Sequence, residues 1–120
     1  MSPRKKVLIV DDNQPFRFLL TAFLQNAGLE TIEAADGYQA LQMLLTEEPG
    51  VILLDLQMEP LGGFGFMEEF NERKYAIPVV LITGDTSTDV LTRATNFGIA
   101  SVLQKPVTQT RVIEIVQRLL

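Results

Sequence analysis

The chain contains no cysteine, which rules out disulfides, thiol catalysis and thiolate metal sites. It contains no histidine either, and so lacks the commonest general base and the usual zinc ligand. No apolar run approaches the length of a membrane span, and the N-terminus carries no signal-peptide pattern. The expected compartment is therefore the cytoplasm, with no membrane partner. Basic residues are outnumbered: the net charge is −5, and the longest basic run is Arg4-Lys5-Lys6. Direct binding of nucleic acid by such a domain is not expected. What remains for chemistry is carboxylates, hydroxyls, lysine and whatever hard cation they can hold.

At 120 residues the chain is one domain, long enough to bury a core without staples. Its centre is Val51-Ile52-Leu53-Leu54-Asp55, an apolar run that ends in one carboxylate and meets a turn-rich segment. Such a run reads as a strand buried on both faces. Val7-Leu8-Ile9-Val10 repeats the design and delivers Asp11 and Asp12; Val79-Val80-Leu81-Ile82 delivers Thr83. Thr31-Ile32-Glu33-Ala34 and Ser101-Val102-Leu103-Gln104 are two further strands with polar positions, the second followed by Lys105-Pro106.

Helical stripes lie between the strands. Asn13 caps the first and Pro15 suits its opening turn; Phe16, Leu19, Leu20, Phe23 and Leu24 form its apolar face, and Gly28 ends it. Asp36-Gly37 precedes a second stripe through Ala40, Leu41, Leu44 and Leu45 that stops at Pro49-Gly50. Phe66, Met67 and Phe70 mark a third helix ending near Arg73-Lys74. Gly62-Gly63-Phe64-Gly65, just before it, reads as a flexible turn. Ser87 or Thr88 caps a fourth helix through Val90, Leu91, Ala94 and Phe97, closed by Gly98. The last helix carries Val112, Ile113, Val116, Leu119 and Leu120.

Five strands alternating with five helices predict an α/β fold with a doubly wound, five-stranded parallel sheet. The three wholly apolar strands belong in the centre and the two polar ones at the edges, which fits the order 2-1-3-4-5. In that order the first and third strands are neighbours whose connections leave in opposite directions. Asp11, Asp12 and Asp55 then converge at the switch point. Three carboxylates in a partly buried site cannot all stay ionised unaided. A divalent cation removes the conflict, and oxygen ligands with open water positions favour Mg²⁺. Lys105 adds a fixed positive charge and Thr83 a hydroxyl donor. A nucleophilic carboxylate beside a cation cradle, a lysine and a threonine suits phosphoryl acceptance, which needs positioning and charge neutralisation above all.

These residues, each following its own strand, give the chain a resemblance over essentially its whole length. It resembles the receiver domain of two-component response regulators, the CheY-like members of the flavodoxin-like architecture. The resemblance implies that Asp55 is the phosphoacceptor, supplied by a sensor histidine kinase or a histidine phosphotransfer protein. It implies that Asp12, Asp55 and the backbone carbonyl of Gln57 ligate Mg²⁺ directly, with Asp11 acting mostly through water. It further implies that Lys105 contacts the phosphoryl group and that the Lys105–Pro106 bond is cis. The catalytic set is thus Asp55, Thr83 and Lys105, in a signalling domain that catalyses its own phosphotransfer and dephosphorylation rather than an enzyme acting on others. The family's usual output surface is the face of the fourth helix, fifth strand and fifth helix, where phosphorylation is expected to drive homodimerisation. Residues 1–120 are expected to form a single receiver domain with no output domain.

The chain departs from the family pattern in two places. Four residues after the acceptor the family usually has proline; here stands Glu59, with Pro60 next and Gly63 at its usual offset. Three residues before the lysine, where many members have an aromatic ring that turns inward, stands Val102. Thr83 must then signal by moving its loop and the fourth helix. Gln57 and Asp85 occupy positions the family uses to tune dephosphorylation. Three rival functions fit these residues less well. A phosphatase of the haloacid-dehalogenase kind would need a second acid where Gln57 stands. A flavin module would want hydroxyls rather than acids after the first strand. A receiver-like interaction domain that is never phosphorylated would have no need to keep every site position.

Overall fold

In the computed structural model, which describes residues 5–120, strand and helix alternate without exception; Arg4 of the basic run lies outside those residues. The elements are β1 (Val7–Val10), α1 (Gln14–Asn26), β2 (Thr31–Ala34), α2 (Gly37–Met43) and β3 (Val51–Asp55). They continue with α3 (Gly63–Glu72), β4 (Val79–Thr83), α4 (Thr88–Asn96), β5 (Ser101–Gln104) and α5 (Gln109–Leu119). The five strands form one sheet in the order β2-β1-β3-β4-β5, and every neighbouring pair is parallel. This is the predicted order. β1, β3 and β4 are buried along their whole length, whereas β2 and β5 are partly exposed.

Alternation along each strand feeds two separate cores. Leu8, Val10, Ile52, Leu54, Val79 and Leu81 pack with Ala40, Leu41, Phe66, Met67, Phe70, Val90 and Ala94 from α2, α3 and α4. Val7, Ile9, Val51, Leu53, Val80 and Ile82 pack on the other face with Leu20 and Leu24 of α1 and Val112, Ile115 and Val116 of α5. Among the described residues no helix is long and apolar enough to cross a membrane.

The caps follow the sequence closely. Asn13 Oδ1 accepts from the Phe16 amide at 2.9 Å, Ser87 rather than Thr88 caps α4, and Gly28 and Gly98 both take φ +79°. The expected helical faces need correction at several positions. Leu19 and Leu91 are solvent-exposed, because the sheet covers only a narrow seam and each lies about 100° round its helix from a buried neighbour; Leu45 is exposed in the turn that follows α2. α2 ends at Met43, short of Pro49-Gly50. On α5 the seam runs through Ile115, which was not foreseen, while Leu120 lies past the helix and is exposed.

The largest correction concerns the segment read as a flexible turn. Gly62 is the N-cap of α3, and Gly63, Phe64 and Gly65 form its first turn. The reason is steric. A Cβ on Gly63 would stand 2.6 Å from the Asp55 carbonyl oxygen and 3.0 Å from Leu56 Cα. Only glycine lets the helix start this close to the end of β3, and the Gly63 amide donates to the Leu56 carbonyl at 2.9 Å. Phe64 is buried and its ring stacks on Phe97 with centroids 5.3 Å apart.

Candidate functional site

All five parallel strands present their carboxyl ends at one edge, and the acids collect there at the β1/β3 switch point. Asp11 follows β1 and is buried; Asp55 is the last residue of β3 and is buried; Thr83, the last residue of β4, is buried as well. Asp12 faces solvent. Carboxylate oxygens of Asp11, Asp12 and Asp55 lie within 4.8 Å of one another. The convergence expected from sequence is therefore present. With Asn13, Gln57, Thr83, Gly84, Asp85 and Lys105 they line a cleft of about 420 Å³.

Lys105, just past β5, reaches across this cleft. Its Nζ donates to Asp55 Oδ1 at 3.0 Å and lies 3.8 Å from Asp11 Oδ2. The same ammonium sits 4.5 Å from the centre of the Phe16 ring, within cation–π range. The Lys105–Pro106 bond is cis, as expected, and so is Glu59–Pro60, which was not foreseen. The Glu59 amide points at Asp12 Oδ2 at 3.4 Å, so the β3–α3 loop is tethered to the acid pair.

One ammonium among three carboxylates leaves an electrostatic deficit. Burial is the main force on Asp55 and raises its pKa from 3.8 to about 6; the Lys105 hydrogen bond opposes this, and the charge of Asp11 reinforces it. Burial likewise raises Asp11, opposed by the Asn13 amide and Lys105. That amide donates to Asp11 Oδ1 at 2.8 Å. Asp11 Oδ2 is buried with no hydrogen-bond partner among the described residues. A buried carboxylate oxygen with no hydrogen bond is costly, and the Lys105 ammonium, 3.8 Å away and bonded to Asp55, meets it only in part. Hard oxygen donors, an orphaned one among them, fit a hard divalent ion such as Mg²⁺.

Thr83 opens a second set of contacts. Its Oγ1 accepts from the Asp85 amide at 3.0 Å, which leaves the hydroxyl hydrogen to donate into the cleft. Asp85 Oδ1 in turn accepts from the Ser87 amide at 2.9 Å, a bond that holds the exposed Asp85 carboxyl below the ordinary carboxylate range. Ser87 Oγ caps α4 at Val90. Thr83 is thus linked to α4 by three consecutive local bonds. Val102 is half-buried and packs against the core beneath α2, α3 and α4.

A family model described as the response regulator receiver domain matches residues 7–117. The chain belongs to this family. Receiver domains are the phosphoryl-accepting signalling units of two-component systems, and they generally bind Mg²⁺ at an acidic pocket. The regulator of RpoS from Escherichia coli K12 is 34% identical over 103 residues, 86% of this chain but 31% of that protein. The chain therefore spans about a third of the length of that relative. Sporulation initiation phosphotransferase F of Bacillus subtilis is 29% identical over 85% of this chain and 82% of its own length. Among solved structures, the chemotaxis protein CheY4 of Vibrio cholerae superposes with a TM-score of 0.91 at 31% identity, covering 98% of this chain and 100% of that one.

Sequence reasoning missed two residues that touch this receiver site. Phe16, expected in the core, lies under Lys105. Arg17 donates from Nη1 to the Asp11 backbone carbonyl at 2.6 Å. A signal was present, because a cation in the first turn of a helix opposes the macrodipole preference for acids there.

Proposed function

We propose that this receiver domain accepts a phosphoryl group on Asp55 and converts the event into movement of α4. An oxygen of the Asp55 carboxylate attacks phosphorus, and the phosphorus–nitrogen bond of a donor phosphohistidine breaks. The imidazole nitrogen keeps the electron pair and takes up a proton, and an aspartyl phosphate is left on the receiver. Lys105, already 3.0 Å from Asp55 Oδ1, neutralises the charge gathered on the phosphoryl oxygens. Asp12, Asp55 and the Gln57 carbonyl, with Asp11 mostly through water, would hold Mg²⁺, which when bound would supply further neutralisation of those oxygens and of the acids. Hydrolysis returns Asp55 to the carboxylate and releases phosphate; Gln57 and Asp85 line the cleft where water must enter.

The phosphoryl group adds roughly one to two negative charges. Thr83 donates its hydroxyl to them, and its shift carries the Asp85 and Ser87 bonds with it. Val102 holds no ring to flip, so α4 is the moving part. The donor is a sensor histidine kinase or histidine phosphotransfer protein, and the face of α4, β5 and α5 serves for output, including homodimerisation. What supports the reading most is the convergence of three carboxylates and one ammonium in a single cleft. Incubation with Mg²⁺ and a small acyl phosphate should add the mass of one phosphoryl group, lost in Asp55→Asn. A wild-type protein that gains no mass would overturn the proposal and favour a phosphorylation-independent interaction module.

A further inference from the structure

We infer that Arg17 is a positioning residue that grips the backbone of the acid-pair loop and so sets the site's affinity for its divalent cation. The inference rests on the proposed role of Asp11, Asp12 and Asp55 as a cation site. The backbone ladder of β1 stops at Asp11. The Asp11 amide still donates to the Ala34 carbonyl at 3.1 Å, but no backbone amide of the described residues reaches the Asp11 carbonyl. Arg17 Nη1 occupies that carbonyl instead, at 2.6 Å. A donor that carries charge makes a stronger bond than a neutral amide.

Arg17 is itself fixed. Its Nε donates to Glu33 Oε1 on β2 at 3.0 Å, and Thr21 of α1 donates to the other Glu33 oxygen at 3.2 Å. The Arg17 side chain is only 13% exposed, unlike the fully solvated ion pairs that contribute little. One guanidinium therefore ties α1, β2 and the end of β1 together, using the fork geometry that lysine lacks.

The choice of the carbonyl has a functional consequence. The three carboxylates repel one another, and without an ion that repulsion acts to spread the loop. A cation placed on the carboxylates would restrain them but would compete with the metal for the same oxygens. Arg17 restrains the peptide between Asp11 and Asp12 while leaving the carboxylate oxygens to the ion. This is the logic of the outer partners that orient metal ligands, whose loss typically costs roughly 10- to 100-fold in affinity.

The test is Mg²⁺ titration calorimetry on the whole chain, with thermal unfolding of the metal-free protein run alongside. Arg17→Met, which keeps bulk but loses both bonds, should raise the Mg²⁺ Kd by roughly tenfold or more. Its acyl-phosphate labelling should recover toward the wild-type rate at saturating Mg²⁺. Glu33→Gln, remote from the cleft, should raise Kd by a smaller factor in the same direction, and keeps the test open if Arg17→Met fails to fold. A lower melting temperature with an unchanged Kd in both variants would overturn the inference and leave the proposed function standing. A wild-type protein that binds Mg²⁺ but takes no phosphoryl group would sink the functional reading, while Arg17 is still judged by Kd. A wild-type protein that binds no Mg²⁺ would overturn both.

Discussion

Leu54 and Asp55 are consecutive on β3 and both are buried, at 0% and 6% exposure, yet they act on stability in opposite directions. Leu54 sits in the core beneath α2, α3 and α4, where burying a leucine side chain contributes about 1.5–3 kcal/mol. Asp55 sits one residue further, at the rim of the sheet, where burial drives its pKa up to about 6. Keeping it ionised at neutral pH costs on the order of 3 kcal/mol, since each tenfold change in proton affinity corresponds to about 1.4 kcal/mol. The apolar strands supply the stability that holds an unfavourable carboxylate at their ends.

Truncating the favourable side of the pair should have the largest effect. Leu54→Ala should lower the free energy of unfolding by about 2–5 kcal/mol, read from urea unfolding, with acyl-phosphate labelling retained in the folded fraction. A loss below that range would mean the strand interior is not what supports the rim.

Changing the unfavourable side should do the reverse. Metal-free Asp55→Asn should be more stable than wild type by about 1–3 kcal/mol at pH 8, and no more stable at pH 3.5. The sign follows from the raised pKa. Between the ordinary 3.8 and about 6, the native protein holds a proton that the unfolded chain has already released. Wild-type stability without metal therefore falls as pH rises through that window, and Asp11, also raised, deepens the fall. Thermal melts across pH 3.5–8 check the slope, which should flatten in Asp55→Asn. At pH 8, Mg²⁺ at 100 times its Kd should restore about 2.7 kcal/mol to wild type. Equal stability of wild type and Asp55→Asn across the whole range would erase the contrast.

The smallest effect tests the seam between core and rim. Gly63→Ala places a methyl group 2.6 Å from the Asp55 carbonyl oxygen and should destabilise by about 1–2 kcal/mol despite alanine's better helix propensity. Amide chemical shifts of Leu56 and Gly63 should move together. A stabilised variant would show that α3 can retreat from β3 without cost.

Much of this fold was legible in the chain because it depends on local chemistry. Apolar runs of strand length, Asn13 and Ser87 as caps, and glycine at 28 and 98 gave the elements, and the polarity of Glu33 and Gln104 placed β2 and β5 at the edges. The site was legible for a related reason: each of Asp11, Asp12, Asp55, Thr83 and Lys105 ends or follows a strand, and parallel strands end at one edge. What escaped was set by neighbours remote in sequence. The Gly62–Gly65 segment is ambiguous until the Asp55 carbonyl is seen beside Gly63, and Leu19 and Leu91 count as core until the width of the sheet's contact is known. The partners of Arg17 are not legible in its own stretch of chain, because the Glu33 that fixes it lies on β2 and the Asp11 carbonyl it grips becomes available only where the β1 ladder stops.

The amino-acid sequence by itself determined the alternation of elements, the order of the strands and the types of group gathered at their ends, because periodicity, capping and polarity are properties of short segments. Only the tertiary structure decided how those groups meet: that Lys105 pairs with Asp55 rather than with Asp12, that one oxygen of Asp11 is left buried without a hydrogen bond, and that Arg17 holds the loop from behind. Those outcomes depend on distances of a few ångströms between residues far apart in the chain, and a Coulomb or hydrogen-bond energy is set by that separation and not by order along the backbone.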